Sequence, residues 1–160
     1  MKITRVTRWL VILVAVAGLF VSGPGYYAAQ QGTISPSTFV YVTSGNVATS
    51  IDSTLSVIRS SDDTVISRIG LGGLPLSLAV MPNGAKVYMG VYSRGVLVLQ
   101  TSDNTIKARV GGDPLVLGAT PDNSKVLAIN VQEDTVSVIE TSDDVIMDSC
   151  LFVIEVICAT

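Results

Sequence analysis

Aspartates occur in adjacent pairs at two points in the chain, and paired carboxylates can bind calcium or transfer a proton. The pairs are Asp62-Asp63 and Asp143-Asp144, and Asp103-Asn104 stands between them at a matching spacing. A calcium loop would need alternating oxygen ligands that end in a glutamate, and neither pair has them. Asp and Asn also bond nearby backbone amides in tight turns. We therefore expect hairpin turns at these three points, with no metal ligands.

Other residue types that carry chemistry are scarce. Histidine is absent, which removes His-based triads, His-ligated zinc and His-ligated haem. The two cysteines, Cys150 and Cys158, are too few for a disulfide framework or a four-thiolate metal site. Gly72-Gly73 and Gly111-Gly112 lack the following Lys-Ser/Thr of a phosphate-binding loop. The sequence predicts no catalytic residue, no metal ligand, no cofactor and no enzyme activity.

The N-terminus has the pattern of an export signal. Lys2, Arg5 and Arg8 precede WLVILVAVAGLFV, the uncharged run Trp9–Val21. A basic stretch followed by such a run is typical of a secretory signal, and a span of about 20 residues could instead remain as a membrane anchor. We expect a hydrophobic signal or anchor helix over residues 1–30 and a linker over 31–38. Both alternatives place the rest of the chain outside the cytoplasm, secreted or at the cell surface.

Charge excludes one class of partner. Removing residues 1–30 removes three of the ten basic residues and none of the thirteen acidic ones. Nucleic-acid binding relies on Lys and Arg to replace counterions, so an acidic exported domain is a poor candidate for it. The expected partners are a protein or a cell-surface glycan. Membrane contact is expected only through residues 9–29, if that segment is not cleaved.

An internal repeat organises the rest of the sequence. LSVIRSSDDTVI begins at Leu55, VLVLQTSDNTIK at Val96 and VSVIETSDDVIM at Val136, which gives spacings of 41 and 40 residues. GGLPLSLAVMPNGAKVY from Gly72 recurs as GGDPLVLGATPDNSKVL from Gly111, 39 residues on. Repeats of this period indicate stacked copies of one supersecondary unit.

Each period is expected to form four short strands joined by turns. In the second copy they are Leu76–Met81, Lys86–Val91, Val96–Gln100 and Thr105–Val110. Pro82-Asn83-Gly84 has the residues of a tight turn. Four antiparallel strands per ~40 residues form one blade of a β-propeller. The predicted fold is therefore all-β, a β-propeller-like array of about three four-stranded antiparallel blades that follows the N-terminal helix.

The repeat resembles that of the YVTN β-propeller family. Such repeats are similar to those in archaeal and bacterial surface-layer or secreted proteins. The resemblance rests on motifs that cover residues 39–146: Tyr41-Val42-Thr43, the run Thr135–Thr141, Thr64-Val65-Ile66, and the turns Pro82-Asn83-Gly84 and Pro121-Asp122-Asn123. It implies repeats over 39–70, 71–110 and 111–146, followed by a divergent apolar tail over 147–160. It also implies an exported protein that binds or scaffolds at the cell surface.

Three blades are fewer than the four or more that close a propeller. The chain is therefore expected to be a fragment of a longer propeller, to complete a ring by self-association through its open blade edges, or to form an open array. The functional alternatives to a binding module are a remnant of a propeller enzyme, either a lactonase-like hydrolase or a cofactor-dependent oxidoreductase, and a non-functional truncated reading frame.

One loop and the tail depart from the repeat. The link after Val40–Thr43 is longer than in the other copies, which predicts a polar surface loop. That loop is either a neutral insertion or a binding loop that includes Ser44, Gly45, Asn46 and Asp52. The tail, Leu151–Cys158, is expected to be a single extended outer strand. Cys150 and Cys158 would then lie roughly 26 Å apart at ~3.3 Å per residue and could not bond to each other.

Overall fold

Thirteen strands in three antiparallel sheets make up the described part of the chain. The structure, a computed structural model, describes residues 10–16, 38–46, 53–130, 132–152 and 156–157. Sheet 1 contains β1 (Leu10–Val16), β2 (Phe39–Asn46), β3 (Thr54–Arg59) and β4 (Thr64–Gly70). Sheet 2 contains β5 (Pro75–Val80), β6 (Lys86–Val91), β7 (Gly95–Gln100) and β8 (Thr105–Val110). Sheet 3 contains β9 (Pro114–Ala119), β10 (Lys125–Asn130), β11 (Thr135–Glu140), β12 (Val145–Phe152) and β13 (Val156–Ile157).

Within each sheet the strands follow one another in chain order, and each pairs antiparallel with the next. The predicted all-β architecture is confirmed, since each repeat period corresponds to one sheet. No helix occurs among the described residues, and none of them forms a helical span that could cross a bilayer.

The initial strands of the three sheets are neighbours in space. β1 lies against β5, and β5 lies against β9. The later strands of each sheet extend away from this shared side in sequence order. This arrangement is compatible with a β-propeller-like architecture.

Strand β1 lies within the segment for which the sequence predicts a signal or anchor helix. Of residues 1–30 the structure describes only Leu10–Val16, which pair with β2 from Leu10 opposite Asn46 to Val16 opposite Val40. The remaining residues of the predicted helix lie outside the described part. β1 occupies in sheet 1 the terminal position that β5 and β9 hold in the other two sheets. The export role of the segment stays a prediction.

Each sheet carries a β-bulge at the same repeat position, between its third and fourth strands. The register shifts between Val57 and Ile58, between Val98 and Leu99, and between Val138 and Ile139. One extra residue stands on the fourth strand in each case: Ile66, Lys107 or Met147. A bulge increases the local twist of a strand, so each sheet is expected to be more strongly twisted at this repeat position.

Two apolar layers separate the three sheets. The layer between sheets 1 and 2 contains Tyr41, Leu55, Val57, Leu71, Val87, Met89, Val91, Leu97 and Leu99. The layer between sheets 2 and 3 contains Ala79, Met81, Tyr88, Val96, Val98, Val110, Leu117, Val126, Ala128 and Ile139. Sheet 2 contributes alternate residues of the same strands to both layers. Its central strands are therefore almost fully buried, while the alternation in β3 and β11 leaves every second residue partly exposed.

The tail folds back as a hairpin, so the prediction of a single extended strand is wrong. β12 runs past the predicted repeat boundary at 146 to Phe152, and β13 pairs antiparallel with it, with Leu151 opposite Ile157. Cys150 is disulfide-bonded, and Cys158 is the only other cysteine in the sequence. The expected separation of Cys150 and Cys158 assumed one continuous strand. The chain reverses between β12 and β13, so that expected separation does not apply.

We expect Gly95→Ala to destabilise the fold strongly, because two constraints act at this residue. Gly95 has φ 78°, and an added Cβ would collide with the carbonyl oxygen of Val110. A left-handed residue with no room for a side chain should lose at least about 2 kcal/mol in the free energy of unfolding, measured by urea denaturation.

Two glycines serve as controls for this substitution. Gly84 has φ 69° but open space around its Cβ position, so Gly84→Ala should cost only about 1 kcal/mol. Gly70 has open space and no positive φ, so Gly70→Ala should be close to neutral. Equal losses in all three variants would contradict this assignment of Gly95.

Candidate functional site

The residues predicted to form the binding loop lie mostly in a strand. Ser44, Gly45 and Asn46 continue β2 and pair with Ile12, Val11 and Leu10 of β1. These three residues are therefore strand and not loop. Asp52, the fourth predicted residue, lies outside the described part of the chain, as do residues 47–51.

Packing around Gly45 explains why β2 continues. A Cβ at Gly45 would stand 2.8 Å from Cδ of Pro75, 2.8 Å from Oγ of Ser53 and 3.0 Å from Cδ1 of Leu74. Leu74 ends the connection from sheet 1 to sheet 2, and Pro75 is the first residue of β5. The glycine therefore permits a close approach of that connection to β2, and Ser44 is held by a 3.0 Å bond between its hydroxyl and that of Thr54.

The acidic pairs occupy hairpin turns, as predicted. In the β3–β4 turn, Oδ1 of Asp62 accepts bonds from the amide and hydroxyl of Thr64, at 3.2 and 2.6 Å. Oδ1 of Asp103 accepts the same pair of bonds from Thr105, at 3.1 and 2.7 Å. The hydroxyl bond of Thr64 is the main cause of a lowered pKa of Asp62, and the Lys107 ammonium is the main cause for Asp103. The local turn accounts for these carboxylates.

The second residue of each pair has a left-handed backbone. Asp63, Asn104 and Asp144 have φ of 54°, 53° and 60°. Asp and Asn tolerate this conformation better than other residues with a side chain. The repeat therefore selects these residue types for their backbone as well as for their side-chain oxygens.

The turn between β9 and β10 holds a further carboxylate in a tight set of bonds. Oδ1 of Asp122 accepts the Thr120 hydroxyl at 2.6 Å and the Ser124 amide at 3.0 Å, and Oδ2 accepts the Ser124 hydroxyl at 2.8 Å. These bonds, led by that of Thr120, lower the pKa of Asp122 to about 2. The carboxylate is therefore ionised at neutral pH and is fully used by its own turn.

The charged residues Asp122, Asp103 and Arg94 do not form a shared cluster, because each lies in a different turn. Arg94 lies just before β7 and Asp103 lies just after it. The six residues of that strand separate them by roughly 20 Å at ~3.3 Å per residue. Nε of Arg94 donates to the carbonyl of Gly72 at 3.1 Å, which fixes the guanidinium on the link between sheets 1 and 2.

A charged cluster between sheets 2 and 3 was not predicted from the sequence. Nζ of Lys86 donates to both carboxylate oxygens of Asp144 at 2.9 Å and to the carbonyl of Thr141 at 2.7 Å. The hydroxyl of Tyr88 donates to Oδ1 of Asp144 at 2.5 Å. We call these four residues the Lys86 cluster. Its ion pair is largely buried, with side-chain exposure of 21% for Lys86 and 12% for Asp144.

The electrostatics of the Lys86 cluster keep Tyr88 neutral. Burial, followed by the bond to Asp144 and its negative charge, raises the pKa of Tyr88 far above the ordinary value of a phenol. The hydroxyl therefore remains a donor, and Asp144 has a neutral and a cationic donor together. This cluster joins the start of β6 to the β11–β12 hairpin turn of the next sheet.

The corresponding position between sheets 1 and 2 is less polar. Phe39 and Tyr41 stand where Lys86 and Tyr88 stand in sheet 2, and Asn104 replaces Asp144. Burial raises the pKa of Tyr41. Oδ1 of Asn104 is buried and has no hydrogen-bond partner within the described residues. Among the described residues, the interface between sheets 2 and 3 contains an ion pair and the interface between sheets 1 and 2 does not.

Other buried polar groups lie inside the sheets. Nδ2 of Asn130 donates to the hydroxyls of Ser137 and Thr135 at 2.8 and 3.1 Å, and Ser137 bonds to Ser149 at 3.1 Å. This chain of bonds crosses β10, β11 and β12. Within the described residues, Oδ1 of Asn130, Oγ1 of Thr43 and Oγ of Ser77 have no partner. No group of three or more His, Cys, Asp or Glu in that part of the chain is placed to hold a metal ion.

Comparisons with known proteins support the fold and add no activity. No protein-family model matches the chain, and no curated protein does. Among solved structures, the chain is similar to hydrazine synthase of Kuenenia stuttgartiensis, with a TM-score of 0.60 and 17% identity. The match covers 78% of this chain and 39% of the other, so this chain spans well under half of that protein. At this identity the likeness concerns the fold alone.

We expect Asp144→Asn to weaken the fold through the Lys86 cluster. Asn keeps the left-handed turn but leaves the Lys86 ammonium without its carboxylate. The loss in the free energy of unfolding should be about 2 kcal/mol, below the cost of breaking a fully buried pair, because the side chains are partly exposed. Asp134→Asn is the matched control, since Asp134 is exposed and has φ 50°. Equal losses in the two variants would contradict the role of the cluster.

Asp122 predicts a pH dependence of stability. Its pKa falls from 3.8 to about 2 on folding, so its contribution is complete above pH about 4 and is lost as the pH falls through about 2. Urea unfolding from pH 6 to pH 2 should therefore show wild type more stable than Asp122→Asn above pH 4, with the difference shrinking towards pH 2. Glu133→Gln, at an exposed turn, should give a difference that stays small throughout. A pH-independent difference for Asp122→Asn would refute the assignment.

Proposed function

We propose that this chain is an exported, non-enzymatic β-propeller repeat protein of the YVTN type that binds or scaffolds at the cell surface. The observation that carries the proposal is the structural equivalence of the three sheets. The bulges, the left-handed turn residues and the acidic turn carboxylates all fall at equivalent positions. Such a scaffold keeps its strands constant and lets its connections vary.

The connection between β2 and β3 supports a recognition role. Residues 47–53 join these strands, whereas residues 92–94 join β6 to β7 and residues 131–134 join β10 to β11. The same end of sheet 1 is held in place by Gly45, which packs closely on Pro75. In this proposal Asn46, at the end of β2, and Asp52, in the longer connection, bind a protein or glycan.

The export part of the proposal rests on the basic and apolar pattern of the N-terminus. Leu10–Val16 cannot be a cleaved signal and also strand β1 of the mature fold. Retention of the segment would keep sheet 1 four-stranded. Cleavage would expose the edge of β2, which is an aggregation hazard for an unpaired strand.

Surface exposure and loop binding can be tested in the producing cells. Protease added to intact cells should degrade the chain, and N-terminal sequencing of the exported protein should find residues 10–16 retained. Purified chain should rebind to envelopes of cells whose own copy has been deleted. The Asn46→Ala/Asp52→Ala variant should lose at least about tenfold in this binding.

The Gln132→Ala/Glu133→Ala variant is the matched control, because it alters the shorter β10–β11 connection. It should rebind like wild type. Protection of the chain from protease in intact cells would overturn the location. Equal binding by both variants would overturn the role of the longer connection.

A further inference from the structure

The stack of three sheets has two outer faces, one on sheet 1 and one on sheet 3. Each outer face carries the residue pattern of one side of the interface between sheets 2 and 3. We define the forward face of a sheet as the side that packs on the following sheet, and the back face as the side that packs on the preceding one. Sheet 2 has both faces covered. The forward face of sheet 3 and the back face of sheet 1 have no neighbouring sheet within the described residues.

The internal interface between sheets 2 and 3 shows what each face needs. The forward face of sheet 2 supplies Tyr88, Val96 and Val98, and the back face of sheet 3 supplies Val126, Ala128 and Ile139. At its rim, Lys86 on the forward face reaches Asp144 in the β11–β12 turn of the following sheet. The interface is therefore an apolar layer with one directional ion pair.

The forward face of sheet 3 carries the same elements without a partner. Lys125 begins β10 as Lys86 begins β6, and it stands opposite Glu140 as Lys86 stands opposite Gln100. Leu127 occupies the position of Tyr88 but is 42% exposed, and Val116 on the neighbouring strand is 48% exposed. Lys125 is exposed and forms no ion pair with the described residues.

The back face of sheet 1 carries the complementary group. Asp63 has the left-handed turn position of Asp144, with φ 54° against 60°. It is exposed, and no ion pair involving it occurs within the described part. Val65 corresponds to Ile146, which packs in the internal layer, but Val65 is 44% exposed. Val40 and Ile58 on the same face are only partly buried.

We propose that the forward face of sheet 3 packs on the back face of sheet 1 in a second copy of this chain, with Lys125 of one copy paired to Asp63 of the other. Both outer faces belong to copies of one repeat. A second copy therefore offers each outer face the same kind of surface that the equivalent face packs on inside the molecule. The charges are complementary in this pairing, and the equivalent turn of sheet 2 has Asn104 at this position instead of a carboxylate.

The pairing joins two different surfaces, so it is head-to-tail. Such contacts close a ring when the rotation per copy permits it. Two copies would supply six sheets, within the range of four to eight blades known for propellers. A closed dimer would contain two Lys125–Asp63 contacts and leave no outer face uncovered. This inference goes beyond the proposed binding role and does not depend on it.

The test uses the full chain, because β1 belongs to sheet 1, in a mild non-ionic detergent that shields the apolar N-terminus. Sedimentation equilibrium should give the mass of a dimer for wild type. Lys125→Glu and Asp63→Lys should each raise the dissociation constant at least about tenfold, because both contacts then join like charges. An equal mixture of the two variants should regain wild-type association, since each interface of the mixed dimer again joins opposite charges.

Controls separate this effect from misfolding and from association through the N-terminus. Lys107→Glu makes the same change in net charge at the exposed bulge of β8 and should leave the dimer intact. Lys125→Gln is a milder variant that avoids a new carboxylate opposite Glu140, and it should weaken the dimer less than Lys125→Glu. Circular dichroism melting should show every variant folded.

Four results would overturn the proposal. They are a monomeric wild type at all concentrations, single variants that associate as wild type does, a mixture that fails to recover, and weakening by Lys107→Glu equal to that by Lys125→Glu. Association through the N-terminal segment would give the second result, because that contact does not involve Lys125 or Asp63.

Discussion

Each sheet of this chain is apolar on both faces, and the rest of the structure depends on how those faces are covered. Fully burying a Val or Leu side chain is worth about 1.5–3 kcal/mol, whereas an exposed ion pair contributes about 0–1 kcal/mol. The apolar layers therefore supply most of the stability. Sheet 2 shows the complete arrangement, because alternate residues of β6 and β7 enter the layers on its two sides.

The Lys86 cluster adds specificity to this packing. Apolar layers tolerate sliding, but an ammonium that binds one carboxylate and one carbonyl permits a single offset between two sheets. The neutral Tyr88 hydroxyl reinforces the same carboxylate. Between sheets 1 and 2 the equivalent positions hold Phe39 and Asn104, so the repeat carries this ion pair at one interface and an uncharged pair at the other.

The carboxylates of the hairpin turns illustrate how structure limits functional interpretation. In Asp62, Asp103 and Asp122, Oδ1 accepts one hydroxyl and one amide donor two residues away. The low pKa of Asp122 follows from those bonds. Variation remains available in the connections between strands, and this is where a propeller-like scaffold carries recognition in the proposed function.

The predicted strands and turns depend on local sequence. Alternating apolar residues in Lys86–Val91 and Thr105–Val110 predicted β6 and β8 with the bounds that the structure gives, and the Asp and Asn pairs predicted the hairpin turns. Where the sequence prediction was incomplete, distant segments decide the outcome. Ser44–Asn46 continue as strand because Leu10–Val16 pair with them and because Pro75 packs on Gly45.

By itself, the sequence determined the repeat period, the strands inside each repeat and the chemistry of the turns, since these depend on residues a few positions apart. Only the tertiary structure decided that an N-terminal apolar segment completes sheet 1, that Lys86 meets Asp144, and that the tail reverses beside Cys150. The Lys86–Asp144 contact joins residues 58 positions apart. Such contacts depend on how one sheet packs on the next, and no local pattern encodes that offset.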